Sequence, residues 1–356
     1  MSLWQRLARP PTSGAYLPEL DSLRALAIAT VFWLHLSTTL QRAGELPGAL
    51  ARFSSGGGWG VALFFTISGF VLALPFARHA LLGEPAPSLK SYYLRRLRRI
   101  EPPYLIALGL AFLAQVLTHR ASAADLLPHF LASALYVHNV VYGTWSAVLP
   151  VAWSLEIEVQ FYLLAPLLFR MLKIADAHRR AMVLWLATIG MLAFSALAHP
   201  WLSERRLDRS LLSDGGFFLL GLALAERFVS GKLPRASALW DAAGLLSLAA
   251  ALWFWPSQHP LSHAVGALAV LGAFGAALSG KLGRKVALWT PAATVGGMCY
   301  SLYLTHYPLF FGLVPRLPSG ALQAPLALLA AGALGALFYL AVERPFLSRR
   351  KNVKVS

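Results

Sequence analysis

The chain has 356 residues, of which 57% are hydrophobic and 13% charged, and its mean hydropathy is +0.60. Soluble domains carry about 25% charged residues, so this composition excludes a soluble globular protein and, because apolar residues abound, a disordered one. The single cysteine, Cys299, excludes a disulfide framework and a cysteine zinc site, and we expect no metal centre. These numbers predict an all-α, polytopic transmembrane helical bundle.

Basic residues outnumber acidic ones by 31 to 15, which gives a formal net charge of +16. Such an excess in a soluble protein would indicate a nucleic-acid partner. In a membrane protein, lysine and arginine retain loops on the cytoplasmic side. We therefore expect the lipid bilayer, and no nucleic acid, as a partner.

Ten apolar stretches of about 14–21 residues are candidates for spanning helices. We expect the first to be a span rather than a cleavable leader, because it is too long and no small-residue cleavage site follows it. The predicted spans are Leu20–Leu40, Trp59–Ala77, Pro103–Thr118, Trp153–Leu172, Met182–His199, Leu212–Ala225, Leu239–Pro256, Leu261–Ser279, Val295–Val314 and Leu322–Val342.

A further stretch, Leu126–Tyr142, contains Pro128 and two histidines, which are costly in a lipid-facing helix. If it does not cross and the N-terminus is inside, 24 of the 31 Lys and Arg residues are cytoplasmic, whereas a crossing would leave 13 there. The positive-inside rule therefore predicts about ten spans, one re-entrant or interfacial segment and two cytoplasmic termini. Residues 1–19 then form a cytoplasmic segment, residues 20–342 one membrane domain and residues 343–356 a basic cytoplasmic tail. The seven basic residues left outside are Arg42, Arg52, Arg120, Arg205, Arg206, Arg209 and Arg316.

Three ionisable side chains share one face of the first predicted span. Arg24 and His35 are 11 residues apart, which at about 100° and 1.5 Å per residue returns to nearly the same azimuth roughly 16 Å deeper. Asp21 falls on this face too. Such a stripe indicates a cavity or a partner helix rather than lipid. The structural alternatives are an Asp21–Arg24 ion pair or helix start, and a hydrogen-bonded interhelical His35.

Four arginines stand within five residues at the predicted cytoplasmic surface: Arg95, Arg96, Arg98 and Arg99. The i,i+3 spacing of Arg96 and Arg99 points both the same way on a helix, where paired guanidinium hydrogen bonds can hold phosphate. The other interpretation of the cluster is stop-transfer charge or contact with anionic lipid.

Two carboxylates, Glu156 and Glu158, lie near the start of another predicted span. They are about 200° apart on a helix, so only one can face a given cavity. We expect that one to be Glu158, which lies about 7 Å into the span and shares a face with Ser154 and Tyr162. An interhelical ion pair or hydrogen bond is the alternative, and Trp153 suits an interface anchor.

Two later motifs add candidates. His306 follows Tyr303 near the middle of a predicted span, where a structural histidine and a cavity role are equally favoured. Glu343 closes the last span, and a solvated helix end is favoured there over pairing with the first-span arginine. Ser68 and Gly69 are small residues that favour close helix packing.

Together these stretches resemble the bacterial membrane acyltransferase-3 family over nearly the whole chain. One departure is Ser22, where glycine is more usual. Six motifs in the family's order carry the resemblance: Leu20–Ala27 with His35, Phe64–Phe70, Arg96 and Arg99 before Ile100–Pro102, Trp153–Leu155 with Glu158 and Phe161–Tyr162, Tyr300–Leu304 with His306, and Glu343–Pro345.

The resemblance implies a multi-pass O-acyltransferase of the bacterial cytoplasmic membrane, without the SGNH domain that is fused to some relatives. It implies transfer of an acyl group, usually acetyl, from cytoplasmic acyl-CoA to a carbohydrate hydroxyl, with acyl-CoA as co-substrate and no permanently bound cofactor. The acceptor is then a cell-envelope polysaccharide or its lipid-linked precursor. His35, as general base, and Glu158 would be catalytic. Phosphates of CoA would be bound by Arg24, Arg95, Arg96, Arg98 and Arg99. Supporting or acceptor-cavity residues would be Asp21, Ser68, Trp153, Ser154, Tyr162, Tyr303, His306 and Glu343.

Two other functions stay open at this stage. The acceptor can be a small-molecule glycoside such as a macrolide, and some relatives are suggested to export or flip a glycan, which would make the chain a transporter without acyl transfer. Within the enzyme reading, direct transfer is favoured over a covalent acyl-histidine.

Overall fold

The computed structural model describes residue 7 and residues 16–51, 53–172, 174, 176–254 and 262–348. All regular structure in these ranges is helical, so the predicted all-α membrane bundle is confirmed. The helices in chain order are α1 (Pro18–Arg42), α2 (Gly48–Ala51), α3 (Trp59–Leu82), α4 (Leu89–Leu117), α5 (Ala123–Ala134), α6 (His138–Tyr142), α7 (Trp153–Met171), α8 (Ala177–Glu204), α9 (Leu211–Val229), α10 (Ala238–Phe254), α11 (Ser262–Ser279), α12 (Leu282–Ala287), α13 (Thr290–Gly297), α14 (Cys299–Leu313), α15 (Gln323–Phe338) and α16 (Arg344–Ser348).

Seven helical segments of the described chain are long and apolar enough to cross a membrane. Each of them contains one of the predicted spans, apart from at most one residue at an end of that span. The other three predicted spans fall on α9, which has 19 residues but is not among the seven, and on α10 and on α13 with α14, which are shorter, so the number ten stays a prediction. Positions 255, 256 and 261 of the predicted spans lie outside the described residues. The seven segments are Pro18–Arg42, Gly56–Leu82, Leu89–Leu117, Pro150–Met171, Ala177–Glu204, Ser262–Ser279 and Gln323–Leu347.

The doubtful stretch Leu126–Tyr142 does not form one helix. α5 ends at Ala134, Tyr136 adopts a left-handed backbone conformation with φ of +57°, and α6 begins at His138. The 12 residues of α5 extend only about 18 Å, well short of the roughly 30 Å hydrocarbon core of a bilayer.

Contacts between α4 and α7 show where the intervening segment runs. Near the start of α4, the Tyr93 hydroxyl donates to the Leu163 carbonyl at 3.3 Å. Near its end, the Gln115 side-chain amide donates to the carbonyls of Ala147, at 3.2 Å, and of the next residue, at 3.0 Å, just before α7 begins. α4 and α7 are therefore antiparallel, and the chain leaves one and enters the other at the same end of the bundle. The intervening segment does not cross, as the charge distribution predicts.

α1 runs parallel to α14. Gly296, just before α14, lies so close to the Asp21 carbonyl that any side chain there would overlap it. Further along, the imidazole of His35 reaches His306 on α14. The predicted stripe, which also holds Arg24, therefore faces a partner helix rather than lipid.

Two glycines bring α3 and α9 into backbone contact. A side chain at Gly69 would overlap the Phe218 carbonyl, and one at Gly221 would overlap the Thr66 carbonyl. The packing role predicted for Gly69 is confirmed. The neighbouring Ser68 turns away from this interface, and its hydroxyl points towards α7.

The predicted boundary between membrane domain and tail falls inside the bundle. α15 continues through a π-helical turn, Tyr339–Glu343, into α16, and Glu343 is only 2% exposed. The favoured solvated position of Glu343 is therefore wrong, because Ser301 supplies it with buried hydrogen-bond donors. The rest of the predicted tail, residues 349–356, and residues 1–6 and 8–15 of the predicted N-terminal segment lie outside the described residues.

Candidate active site

A cleft, which we refer to as the central cleft, lies among α1, α3, α4, α7 and α14. Three arginines, one carboxylate and several hydroxyl groups line this cleft, which lies within an otherwise apolar bundle. Concave sites with a few convergent polar groups are typical of ligand binding. The lining residues are Arg24, Phe64, Phe65, Ser68, Val71, Arg96, Arg99, Ile100, Ser154, Leu155, Glu158, Tyr162, Cys299, Tyr300 and Tyr303.

The arginine cluster of α4 divides into two pairs. Arg96 and Arg99 both line the central cleft, as their i,i+3 spacing predicts. Arg98 is exposed, and Arg95 turns back to hydrogen-bond the Ser91 hydroxyl one turn earlier on the helix. Neither belongs to the cleft wall, so the structure places only half of the predicted acyl-CoA-binding cluster where a shared ligand could reach it.

Arg96 is held in a position that suits an anion. Its guanidinium carbon lies 5.7 Å from the centre of the Tyr162 ring, an arrangement that orients the planar group. Its Nε is buried and has no hydrogen-bond partner among the described residues. A buried donor without a protein partner is rare in folded proteins, so this nitrogen is available to a bound anion.

Arg24 of α1 completes the basic wall. It is 8% exposed and forms an ion pair with Asp21, one turn earlier on the same helix. The sequence left open whether this pair is structural or serves a cavity. The structure combines both roles, because the pair fixes a guanidinium that also borders the central cleft.

The two carboxylates of α7 serve different places, as their angular separation predicts. Glu158 faces the central cleft and accepts hydrogen bonds from the hydroxyls of Ser68 and Tyr162. Glu156 faces away and accepts from the backbone amides of Asn139, at 3.0 Å, and of the following residue, at 3.3 Å. It thereby caps the start of α6 and ties the segment between α4 and α7 to α7 itself.

Hydroxyl groups from α7 and α14 also line the cleft. The Tyr303 hydroxyl donates to the Val151 carbonyl at 2.7 Å and accepts from Ser154, also at 2.7 Å. Trp153 does not line the cleft but packs edge-on against Phe65, which does. Ser154 and Tyr303 therefore belong to the predicted cavity directly, and Trp153 only through its neighbour.

His35 lies beside the central cleft rather than in its wall. Its Nδ1 is 2.8 Å from Nε2 of the fully buried His306, whose ring is 5.7 Å from that of Tyr303 in the cleft wall. Glu158 bonds to Ser68 and Tyr162 and not to His35. The partner of His35 comes from α14, which sequence periodicity alone could not identify.

Sequence reasoning missed two residues of the cleft. Cys299, for which the sequence indicates no role in binding or catalysis, is buried in the wall that also contains Arg24 and Arg99. Tyr300 also lines the cleft, and its hydroxyl donates to the Ile100 carbonyl at 2.9 Å, which joins α14 to the arginine-bearing turn of α4. Tyr300 is the first residue of the motif that leads to His306, and Cys299 directly precedes that motif, which was the signal that the sequence offered for each.

Comparison with known proteins bears on the identity of this site. The peptidoglycan O-acetyltransferase OatA of Listeria monocytogenes is 27% identical over 337 residues, which cover 86% of this chain and 51% of that protein. The Bacillus subtilis protein YrhL, named provisionally for the same activity, is 25% identical over 325 residues, covering 83% of this chain and 48% of that protein. The chain thus spans about half the length of these relatives. No solved structure matches it significantly.

The family comparison covers the membrane bundle and the central cleft together. A family model described as an acyltransferase domain, Acyl_transf_3, matches residues 17–343, a range that contains every lining residue of the cleft as well as His35 and His306. With its helical membrane bundle and this match over most of its length, the chain belongs to the Acyl_transf_3 family of acyltransferase domains.

Proposed function

We propose that this chain is a membrane O-acetyltransferase that takes an acetyl group from acyl-CoA and transfers it to a hydroxyl of a cell-envelope polysaccharide. The observation that carries the proposal is the convergence of Arg24, Arg96 and Arg99 on one buried cleft, beside a helix stripe that leads to His35. The relatives named for peptidoglycan O-acetylation support an envelope polymer as acceptor.

The donor side of the proposal rests on charge and length. Guanidinium groups bind phosphate through paired, charge-assisted hydrogen bonds, and CoA offers a pyrophosphate and a further phosphate. The partnerless Nε of Arg96 is the donor most in need of such a ligand. From Arg24 to His35 the helix rises about 16 Å, a distance that the pantetheine arm, roughly 15–20 Å long, can bridge.

The chemistry follows from this placement. With the thioester beyond Tyr303, a nitrogen of His35 takes the proton of the acceptor hydroxyl while the oxygen attacks the thioester carbonyl. The new ester C–O bond forms, the C–S bond breaks, and the CoA thiolate leaves and receives the proton. Glu158 contributes from the cleft, where it balances the arginine charge and fixes Ser68 and Tyr162.

The proposed orientation separates the two substrates. The arginine end of the cleft faces the cytoplasm, where acyl-CoA is made, and the Trp153 end of α7 faces outwards. This orientation puts most basic residues inside, in keeping with the positive-inside rule. Acetyl-CoA then reacts without crossing the bilayer, and both termini are cytoplasmic in the inner membrane.

The function is tested by following the acetyl group. Membranes that contain the protein are mixed with acetyl-labelled acetyl-CoA and isolated peptidoglycan strands. We expect free CoA to appear only when strands are present, with the label bound to them as a base-labile ester. Membranes from cells without the gene provide the control.

Other outcomes of this experiment identify the alternative functions. Label that moves to an added macrolide but not to the strands would assign a small-molecule acceptor. Intact acetyl-CoA in every mixture would contradict acyl transfer and favour glycan export.

The proposed orientation predicts which end of α8 is reachable from outside. Ala177 and Ser203 are exposed near opposite ends of this helix, roughly 39 Å apart by helix rise. In a Cys299→Ser background, we expect an impermeant thiol reagent on intact cells to label Ser203→Cys and to spare Ala177→Cys. Permeabilised cells should expose both, which controls for accessibility. Labelling at position 177 alone would invert the orientation and place the arginines outside.

A further inference from the structure

We propose that His306 is a positioning residue that holds His35 in the tautomer whose Nε2 is unprotonated, so that Nε2 is the atom that accepts the proton of the acceptor hydroxyl. The inference rests on the proposed function, in which His35 is the general base, and adds a residue that acts through it. It is carried by the hydrogen bonds of the two imidazoles and by the burial of His306.

The first step assigns the proton on His306. Its Nδ1 lies 2.7 Å from the carbonyl of Tyr303 and 3.2 Å from that of Leu302, both in the preceding turn of α14. A carbonyl oxygen only accepts hydrogen bonds, so Nδ1 of His306 must carry a hydrogen. The backbone of α14 thereby fixes the tautomer of His306.

The second step concerns the charge of His306. The residue is 0% exposed, and its ring lies among those of Phe32, at 5.0 Å, and Phe310, at 5.9 Å. An imidazolium in such apolar surroundings needs a counter-charge, and the structure places no carboxylate in contact with this ring among the described residues. His306 is therefore neutral, and its Nε2 offers a lone pair.

The third step transfers the constraint to His35. Nδ1 of His35 is 2.8 Å from Nε2 of His306. Because Nε2 of His306 accepts this hydrogen bond, Nδ1 of His35 must carry the hydrogen. A neutral His35 then has its lone pair on Nε2. The same contact stabilises the imidazolium that forms when His35 takes a proton, because Nδ1–H keeps an acceptor throughout the reaction.

The test compares two substitutions of His306 in the full-length protein. His306→Leu removes the acceptor but keeps an apolar side chain, and we expect kcat to fall roughly 10- to 100-fold while KM for acetyl-CoA stays unchanged. His306→Gln offers a carbonyl oxygen to the His35 Nδ1–H, and we expect it to restore most of the lost kcat.

A packing control separates positioning from structure. Phe32 stacks on the ring of His306. Phe32→Leu therefore disturbs the packing of that ring but leaves the hydrogen bond between His306 and His35 in place. We expect Phe32→Leu to retain kcat, and both His306 variants to match the parent protein in membrane yield and elution profile. Equal kcat losses in His306→Leu and His306→Gln would overturn the proposal, as would full activity of His306→Leu.

Failure of this inference is distinguishable from failure of the proposed function. If His35→Ala abolishes transfer and His306→Leu does not impair it, His35 remains the base and only the positioning role is wrong. If both single variants impair kcat, we expect the double variant to be no worse than His35→Ala alone, because His306 acts through His35. Additive losses would show that His306 acts independently.

Discussion

Replacing His35 with alanine is expected to abolish acyl transfer while leaving membrane insertion intact. A general base contributes about 10²–10⁴-fold to a rate, and the proposed mechanism assigns this role to His35. Initial rates with acetyl-labelled acetyl-CoA should show a fall in kcat of at least about 100-fold. KM for acetyl-CoA should change little, because the donor is held by the arginines.

The control for this prediction is a histidine far from the cleft. His79 is exposed near the end of α3, so His79→Ala removes an imidazole without reaching the proposed site and should retain full activity. Substantial turnover by a His35→Ala protein that inserts and elutes normally would remove His35 from the catalytic role and with it the proposed chemistry.

Removing the two cleft arginines should weaken the donor specifically. A charge-assisted phosphate contact contributes about 1.5–3 kcal/mol, so Arg96→Ala with Arg99→Ala should raise KM for acetyl-CoA by roughly tenfold or more per arginine. KM for the acceptor should stay near its parent value, since the acceptor binds beyond Tyr303 in the proposed mechanism. Initial rates measured over a range of each substrate separate the two constants.

The structure supplies a matched control within the same five residues. Arg95→Ala with Arg98→Ala removes the same charge from the same turn of α4, but from side chains that do not line the cleft. If the cluster serves only as stop-transfer charge, the two double variants should behave alike. If it binds CoA phosphates, only the Arg96 and Arg99 variant should lose donor affinity. An unchanged KM in both would return the cluster to its topological role.

The direction in which a side chain points was available from the sequence alone. Helix periodicity is a local property, and it correctly predicted that Arg24 and His35 lie on one face of a helix. It also predicted that Arg96 and Arg99, rather than Arg95, point in the same direction. It predicted as well that Glu156 and Glu158 face different sides of α7. The distribution of lysine and arginine likewise predicted that Leu126–Tyr142 does not cross, because loop charge reflects which side of the membrane a loop occupies.

The identity of each partner was decided only by the tertiary structure. His35 meets His306, which is 271 positions away, and Glu343 is buried by Ser301 rather than solvated. Cys299 lies in the cleft wall, although nothing in its sequence neighbourhood indicated it. Such contacts depend on which helices are neighbours and on how far each is shifted along its axis, and those quantities follow from the packing of the whole bundle. Composition, charge and helix period therefore determined the membrane fold and the faces of its helices, whereas the central cleft and the His35–His306 pair arise only when distant helices pack together.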